Sequence, residues 1–117
     1  MTPLVDYTHA LQQANGNETL AKDLFGMLLT ELPELYTRLE TAWQQQDATA
    51  LRHHAHKIFG STAYCGVPDL TTCAKALEDA LKAGSDKEIV TTHVENLGKA
   101  VDRLLAEGPA LLQQAWS

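Results

Sequence analysis

Apolar residues recur along this chain at the three- and four-residue spacing of amphipathic helices. The pattern predicts a short helix over residues 6–14, stopped at Asn15 and Gly16, and then a long helix capped by Asn17. Pro33 lies within the long helix and is expected to kink it, because proline removes one backbone donor and clashes with the preceding turn. The apolar stripe of this helix is predicted to comprise Leu20, Leu24, Met27, Leu28, Leu35, Leu39 and Ala42.

Two further helices are indicated in the middle of the chain. Asp47 is a candidate cap for a helix over residues 48–64, which Gly66 is expected to end. Pro68 suits the first turn of the next helix, because its missing N–H is unpaired there in any case, and Gly84 closes it.

The last helix has a candidate capping box, in which Ser85 is followed three residues later by Glu88. Gly108 and Pro109 are expected to break this helix, since both residues are unfavourable in a helix interior. A short tail helix over 110–116 would follow the break.

Composition and loop length together define the predicted architecture. The chain has 117 residues, of which 44% are hydrophobic and only 6% aromatic, and this favours packed helices. The predicted loops are short, so successive helices should be antiparallel neighbours. We therefore predict an all-α fold, a single domain over 1–117 built as an antiparallel up-down-up-down four-helix bundle with a short N-terminal capping helix.

Charge and cysteine content narrow the function classes. The formal net charge is −6 and the nine basic residues are scattered, which argues against a nucleic-acid partner. Cys65 and Cys73 both fall at apolar helical positions, so a secreted disulfide framework is not expected. With no signal-like N-terminus and no long apolar run, we expect a cytoplasmic monomer without direct membrane contact.

The most informative stretch lies in the third predicted helix, which carries three of the five histidines. At about 100° per residue, His56 faces away from the apolar side of that helix. Its outer-face neighbours one turn later are the small residues Gly60 and Ala63. A helical glycine costs roughly 1 kcal/mol against alanine, so its presence invites a functional reason. Small neighbours would leave the imidazole accessible to a bulky partner.

Basic residues flank this histidine. Arg52 lies one turn before His56, and Lys57 is adjacent in sequence, so either could screen the charge of a phosphorylated imidazole. Both are equally compatible with an ordinary solvated helix face, and the sequence leaves the two interpretations open.

Several segments together resemble one family. The run His-Lys-Ile-x-Gly from His56, with a small residue seven places and a glycine ten places after it, is similar to the signature of histidine-containing phosphotransfer (HPt) domains. The resemblance is closest to the C-terminal HPt domain of GacS/BarA-type hybrid sensor histidine kinases, and it extends to Asn-Glu-Thr-Leu-Ala at 17–21, Leu-Leu-Thr-Glu-Leu-Pro at 28–33 and Tyr-Cys-Gly-Val-Pro at 64–68.

The resemblance implies a phosphorelay carrier, not an enzyme. By it, the chain is a cytoplasmic protein of its own or the cytoplasmic C-terminal part of an inner-membrane sensor histidine kinase. By it, His56 accepts a phosphoryl group from an aspartyl phosphate of a receiver domain and passes it to the aspartate of a response regulator of the GacA/UvrY type. Gly60 is then the glycine that gives access, and Gly66 the glycine that ends the helix. The Mg²⁺ would come from the receiver, and the chain would need no cofactor of its own.

Two positions qualify the resemblance. The family commonly has lysine three places after the histidine, where this chain has Phe59. Lys57 or Arg52 would then substitute, or Phe59 would belong to an apolar patch that receives the partner over the third and fourth helices. Glu78 falls where some members place a glutamine near the histidine, and a carboxylate there could fix the imidazole tautomer, although a plain surface glutamate is the alternative.

Other functions are less consistent with the sequence. His53 and His56 could share a metal ion, but no third and fourth ligand is evident, so no metal site is predicted. Hydrolase elbows and glycine-rich phosphate loops are absent from the sequence. The remaining alternative is a helical-bundle interaction adaptor that carries no phosphate.

Overall fold

Five helices make up the fold in the computed structural model, which describes residues 4–113. They are α1 (Tyr7–Gln13), α2 (Glu18–Gln44), α3 (Ala48–Thr62), α4 (Pro68–Lys82) and α5 (Lys87–Gln113). Within the described residues there is no strand, and no helix is both long enough and apolar enough to cross a membrane. The predicted all-α class is confirmed.

The four long helices form a closed ring of neighbours. Helix α3 packs between α2 and α4, and α5 packs against α4 and α2, so α3 and α5 lie diagonally across the bundle. Short loops make successive helices antiparallel, and the small helix α1 packs against α2. The core at the centre contains the fully buried side chains Phe25, Leu32, Leu39, Ile58, Leu70, Leu77, Leu97 and Leu104.

The apolar stripe predicted for α2 is partly wrong. Leu28, Leu39 and Ala42 are buried as expected, but Leu20 and Met27 are 44% and 56% exposed. The buried face of α2 also includes Ala21, Phe25 and Leu32. A helix with this many apolar residues has more than one possible inward face, and packing against α3 and α5 selects one of them.

Helix starts follow the predicted caps, with one exception. The side chains of Asn17 and Asp47 accept hydrogen bonds from the backbone N–H three residues on, at 3.0 Å in both cases. At α5, however, Asp86 accepts from the Ile89 N–H at 3.0 Å, so the predicted Ser85 capping box is wrong. Asp and Ser can both accept a hydrogen bond from an unpaired N–H of the first helical turn, so the sequence alone did not show which of these adjacent residues caps α5.

The predicted break at Pro109 is also wrong, because α5 continues to Gln113. Pro109 is exposed, while Gly108 is buried with a methyl group of Leu29 at 2.6 Å from the place where a Cβ would lie. Gly108 thus allows α2 and α5 to approach closely, and Leu112 beyond it packs against Gly26. Burial of these side chains offsets the cost of an interior proline, about 3 kcal/mol. Residues 114–116 of the predicted tail helix lie outside the described residues.

Gly66 has a different role from the predicted one. Helix α3 ends at Thr62 and not at residue 64, with Ala63 in a helical conformation as its C-cap. Gly66 follows in the loop at φ +67°, and its carbonyl accepts a hydrogen bond from the Asp6 N–H at 2.7 Å. A Cβ at Gly66 would collide with the Asp6 carbonyl. The glycine therefore joins the start of α1 to the α3–α4 loop.

Candidate functional site

His56 projects from the middle of α3 toward α4, with its side chain 67% exposed. Its Nδ1 lies 3.0 and 3.1 Å from the two carboxylate oxygens of Glu78. The pair connects α3 to α4, whose extensive packing brings residues 22 positions apart into contact. The predicted outward orientation of His56 is what the structure shows, and its ring is oriented by a residue from another helix.

Glu78 is the buried member of this pair, with a side chain only 5% exposed. Its Oε1 also accepts a hydrogen bond from Nζ of Lys82, one turn later on α4, at 2.9 Å. Lys82 lowers the pKa of the Glu78 carboxyl most, and the hydrogen bond from His56 lowers it further, against the opposing effect of burial. The carboxyl group is therefore ionised at neutral pH, and it is not the plain surface glutamate considered as the alternative.

The ionised carboxylate determines which nitrogen of His56 carries the proton. A carboxylate can only accept hydrogen bonds, so Nδ1 must be the donor. In the neutral imidazole the lone pair is then on Nε2, on the opposite edge of the ring. This arrangement presents a nucleophilic nitrogen on an exposed ring that is held by its other nitrogen.

Gly60 lies one turn after His56 and faces open space. No heavy atom lies within 4 Å of the position that a Cβ would occupy, and the residue has no positive φ. Neither packing nor backbone conformation therefore requires glycine at this position. No side chain therefore projects from the surface at Gly60, and a bulky partner could approach the imidazole from this side.

Ala63 and Phe59 lie in different surroundings from those predicted. Ala63 caps α3 at the α1 end, where its carbonyl is 3.3 Å from Nε2 of His9, and it is half-buried. Phe59 is also half-buried and packs against the core, with Nζ of Lys75 at 5.7 Å from its ring centroid. Neither residue forms an open apolar surface around His56.

The two basic residues flanking His56 separate in the structure. Arg52 lines a cleft together with Thr49, His53, His56, Glu78 and Lys82. Lys57 is not among the residues that line this cleft; burial lowers the pKa of His54, and the charges of His53 and Lys57 lower it further. Arg52 is thus the one of the two that shares the cleft of His56.

Three residues beside Glu78 or Gly60 were missed by the sequence argument. Lys82 is four residues after Glu78, and this i,i+4 acid–base spacing on one helix could have revealed the pair. Met27 and Tyr64, 56% and 58% exposed, line a shallow cleft beside Gly60. Their exposure depends on how α2 faces α3, which helical periodicity does not determine.

Neither cysteine lines the cleft that contains His56. Burial raises the pKa of the Cys65 thiol to about 11, with a further contribution from Glu31. Its Sγ donates to the backbone carbonyl of Ser61 at 3.3 Å. Among residues 4–113, no group of three or more His, Cys, Asp or Glu side chains is positioned to hold a metal ion.

Comparison with known proteins agrees with this geometry. A family model described as "Hpt domain" matches residues 23–107, which include α3, α4 and the His56–Glu78 pair. The chain belongs to the Hpt domain family. A crystal structure of the Hpt domain from a sensor hybrid histidine kinase of Shewanella superimposes with a TM-score of 0.86 at 28% identity, covering 97% of each chain.

Curated relatives of this Hpt domain are sensor proteins and histidine-protein kinases. It is 36% identical over 106 residues to the sensor protein GacS of Pseudomonas syringae pv. syringae, and 31% identical over 108 residues to the signal transduction histidine-protein kinase BarA of Escherichia coli K12. The alignments cover 90% and 92% of this chain but only 12% of each relative. The similarity to GacS and BarA inferred from the sequence motifs is confirmed.

Proposed function

We propose that this Hpt domain is a phosphorelay carrier that takes a phosphoryl group from a receiver-domain aspartate onto Nε2 of His56 and passes it to a second receiver. The observation that carries the proposal is the exposed imidazole held through Nδ1 by the buried Glu78 carboxylate. The open surface at Gly60 supports it, since in-line attack on phosphorus needs unobstructed approach.

The transfer step follows from the tautomer. The Nε2 lone pair attacks the phosphorus of the aspartyl phosphate, the bond from phosphorus to the aspartate oxygen breaks, and the receiver recovers its free carboxylate. The imidazole ring gains positive charge as the N–P bond forms, and the Glu78 carboxylate on Nδ1 stabilises that charge. The same steps in reverse deliver the phosphoryl group to the second aspartate, so the domain acts as a carrier and not as a complete enzyme.

Charges in the cleft suit an acidic partner. A receiver's phosphorylation pocket is acidic and supplies the Mg²⁺ for transfer, whereas the cleft around His56 contains Arg52 and Lys82. The positive charges of these side chains would attract the negatively charged phosphoryl group. Arg52 takes the role of the family's lysine, whose position is occupied here by Phe59. Electrostatic complementarity of this kind speeds encounter and needs no large interface.

Apolar contact would come from the α2 side of His56. Met27 and Tyr64 are exposed beside Gly60, and Leu24 is half-buried in the same cleft. We propose that the receiver docks over this patch and the His56 cleft together, which moves the predicted docking surface from α3 and α4 toward α2 and α3. A small patch suits a carrier that must release one partner before meeting the next.

We propose that the donor is a receiver of a hybrid sensor kinase and the acceptor a response regulator of the GacA/UvrY type. The relation to GacS and BarA supports this assignment. If the chain is a domain of such a kinase, the histidine kinase activity resides elsewhere in that protein.

The deciding experiment measures labelled phosphate passing from a charged receiver domain to this chain and to His56→Gln. We expect wild-type protein to acquire acid-labile, base-stable phosphate, and His56→Gln to acquire none while keeping its helical circular-dichroism spectrum. His53→Gln is the matched control, because His53 is exposed on the same helix. Labelling of His56→Gln would overturn the assignment of His56 as the carrier residue. No labelling of the wild type by any of several receivers would leave the interaction adaptor as the better function.

A further inference from the structure

The Glu78 carboxylate is shared between a titratable imidazole and a permanent positive charge. Its Oε1 lies 3.0 Å from Nδ1 of His56 and 2.9 Å from Nζ of Lys82. Glu78 is 5% exposed, whereas the two groups that contact it are 67% and 45% exposed. A nearly inaccessible anion is thus covered by two accessible donors from the cleft.

A buried carboxylate needs a compensating positive charge. Without one, either the carboxyl group takes up a proton or a neighbouring base becomes a cation to balance it. Lys82 supplies a full charge at hydrogen-bond distance, so the imidazole does not have to be protonated on both nitrogens. This distinction matters, because an imidazolium has no lone pair with which to attack phosphorus.

We propose that Lys82 is a positioning residue that balances the charge of Glu78 and thereby keeps His56 neutral, with its proton on Nδ1 and its lone pair on Nε2. The effect of Lys82 on phosphoryl transfer rests on the proposed function. Its effect on the protonation of the imidazole does not, because that effect is present in the unphosphorylated protein.

The other charged groups around His56 are less directly placed to balance the charge of the Glu78 carboxylate. On α3, Arg52 and the titratable His53 share the cleft, while Lys57 is not among its lining residues. On α4, Lys75 pairs with Asp79 at 3.1 Å.

The charged groups of the other helices that approach α3 lie away from the imidazole. From α2, Glu31 lines the cleft beside Gly60, and the charge of Arg38 acts on His54. From the α1 end, Asp6 and His9 lie beside Ala63. Among the described residues, Lys82 is the cation in contact with the carboxylate that holds His56.

The test compares Lys82→Met with wild type by long-range ¹H–¹⁵N NMR of the His56 imidazole and by the pH profile of transfer from a charged receiver. Methionine keeps most of the aliphatic stem and removes the charge. We expect the imidazole of Lys82→Met to gain its second proton at a pH higher by about half a unit, since a half-exposed charge is partly screened. The transfer rate at the acidic end of the pH profile should fall by up to about threefold, and it should recover at the alkaline end.

Two further variants make the result specific. Lys82→Arg restores a cation on Glu78 and should return the titration and the pH profile toward wild type. Lys75→Met removes the same charge from α4 two turns earlier, where its partner Asp79 is 54% exposed, and should leave the His56 titration unchanged.

Unchanged titration and rate profile in Lys82→Met would overturn the proposal, as would an equal shift in Lys75→Met. The NMR titration needs no phosphate, so it tests Lys82 even if the wild type fails to label. Failure of the carrier function and failure of the Lys82 inference are therefore distinguishable.

Discussion

Gly60 lies in the last turn of α3 although nothing around it requires a glycine. Open space surrounds the position of its missing Cβ, so Gly60→Ala should fit without strain. We expect the free energy of unfolding to rise by up to about 1 kcal/mol, because alanine loses less conformational freedom on folding into a helix. The rate of phosphoryl transfer should fall nevertheless, since a methyl group then stands beside the imidazole.

Urea unfolding and transfer from a charged receiver measure the two effects separately. Gly60→Glu extends the series by placing a longer side chain and a negative charge against the incoming phosphoryl group, and transfer should be lost. A normal transfer rate in Gly60→Glu would refute the access argument, whatever its stability.

At the residue scale, the outward direction of His56 was predictable from helical periodicity, and so was the unusual glycine beside it. The hydrogen bond between Glu78 and His56 was not predictable in this way, because a glutamate on α4 contacts His56 only when α3 and α4 pack in one particular register. The predicted roles of Ala63 and Phe59 depended on the same register, and the structure places one against α1 and the other against the core.

At the scale of elements, the backbone contact between the start of α1 and the α3–α4 loop requires a glycine at residue 66. Gly66→Ala would require an alanine at φ +67° and would press its Cβ against the Asp6 carbonyl. We expect the free energy of unfolding to fall by about 2–4 kcal/mol, from backbone strain and from loss of the Asp6 N–H bond.

Gly84→Ala is the matched control for this change, measured by the same denaturant titration. Gly84 has a similar φ of +69°, but no atom lies within 4 Å of its Cβ position. Its substitution should cost only the strain, about 1–2 kcal/mol. Equal losses in the two variants would show that the contact with α1 contributes nothing.

Helix α5 shows how tertiary contacts override a local signal. Gly108 and Pro109 are the strongest helix-breaking pair in the chain, yet the helix passes through them to Gln113. The proline faces solvent, where its ring has room, and the glycine faces Leu29, where a larger residue would not fit. Gly108 and Pro109 destabilise the helix by a few kcal/mol through their low helix propensity, and the packing of α5 against α2 stabilises it by more than that.

At the scale of the whole molecule, the exposed apolar side chains are unevenly distributed. Met27 and Tyr64 lie beside Gly60, whereas Ile89, 47% exposed, is on α5, diagonally across the bundle from α3. If the receiver docks as proposed, Met27→Glu should raise the KM for the charged receiver about five- to tenfold, because losing an apolar anchor costs about 1 kcal/mol or more.

The effect of Met27→Glu should be on KM and not on the maximal rate, since His56 and Glu78 are untouched. Stability should change by no more than about 0.5 kcal/mol, as for other exposed positions. Ile89→Glu introduces the same charge on the far side and should leave both kinetic constants unaltered. A KM unchanged by Met27→Glu would move the docking surface away from α2.

The sequence by itself determined the helices, most of their caps, the all-α bundle and the exposed histidine. These features depend on residue spacing and on hydrogen bonds a few positions apart, which a linear pattern records. The tertiary structure alone decided which face of α2 is buried, whether α5 survives Pro109, and which residues meet around His56. Those outcomes depend on contacts between helices far apart in the chain, and the His56–Glu78–Lys82 cluster forms only where α3 and α4 pack together.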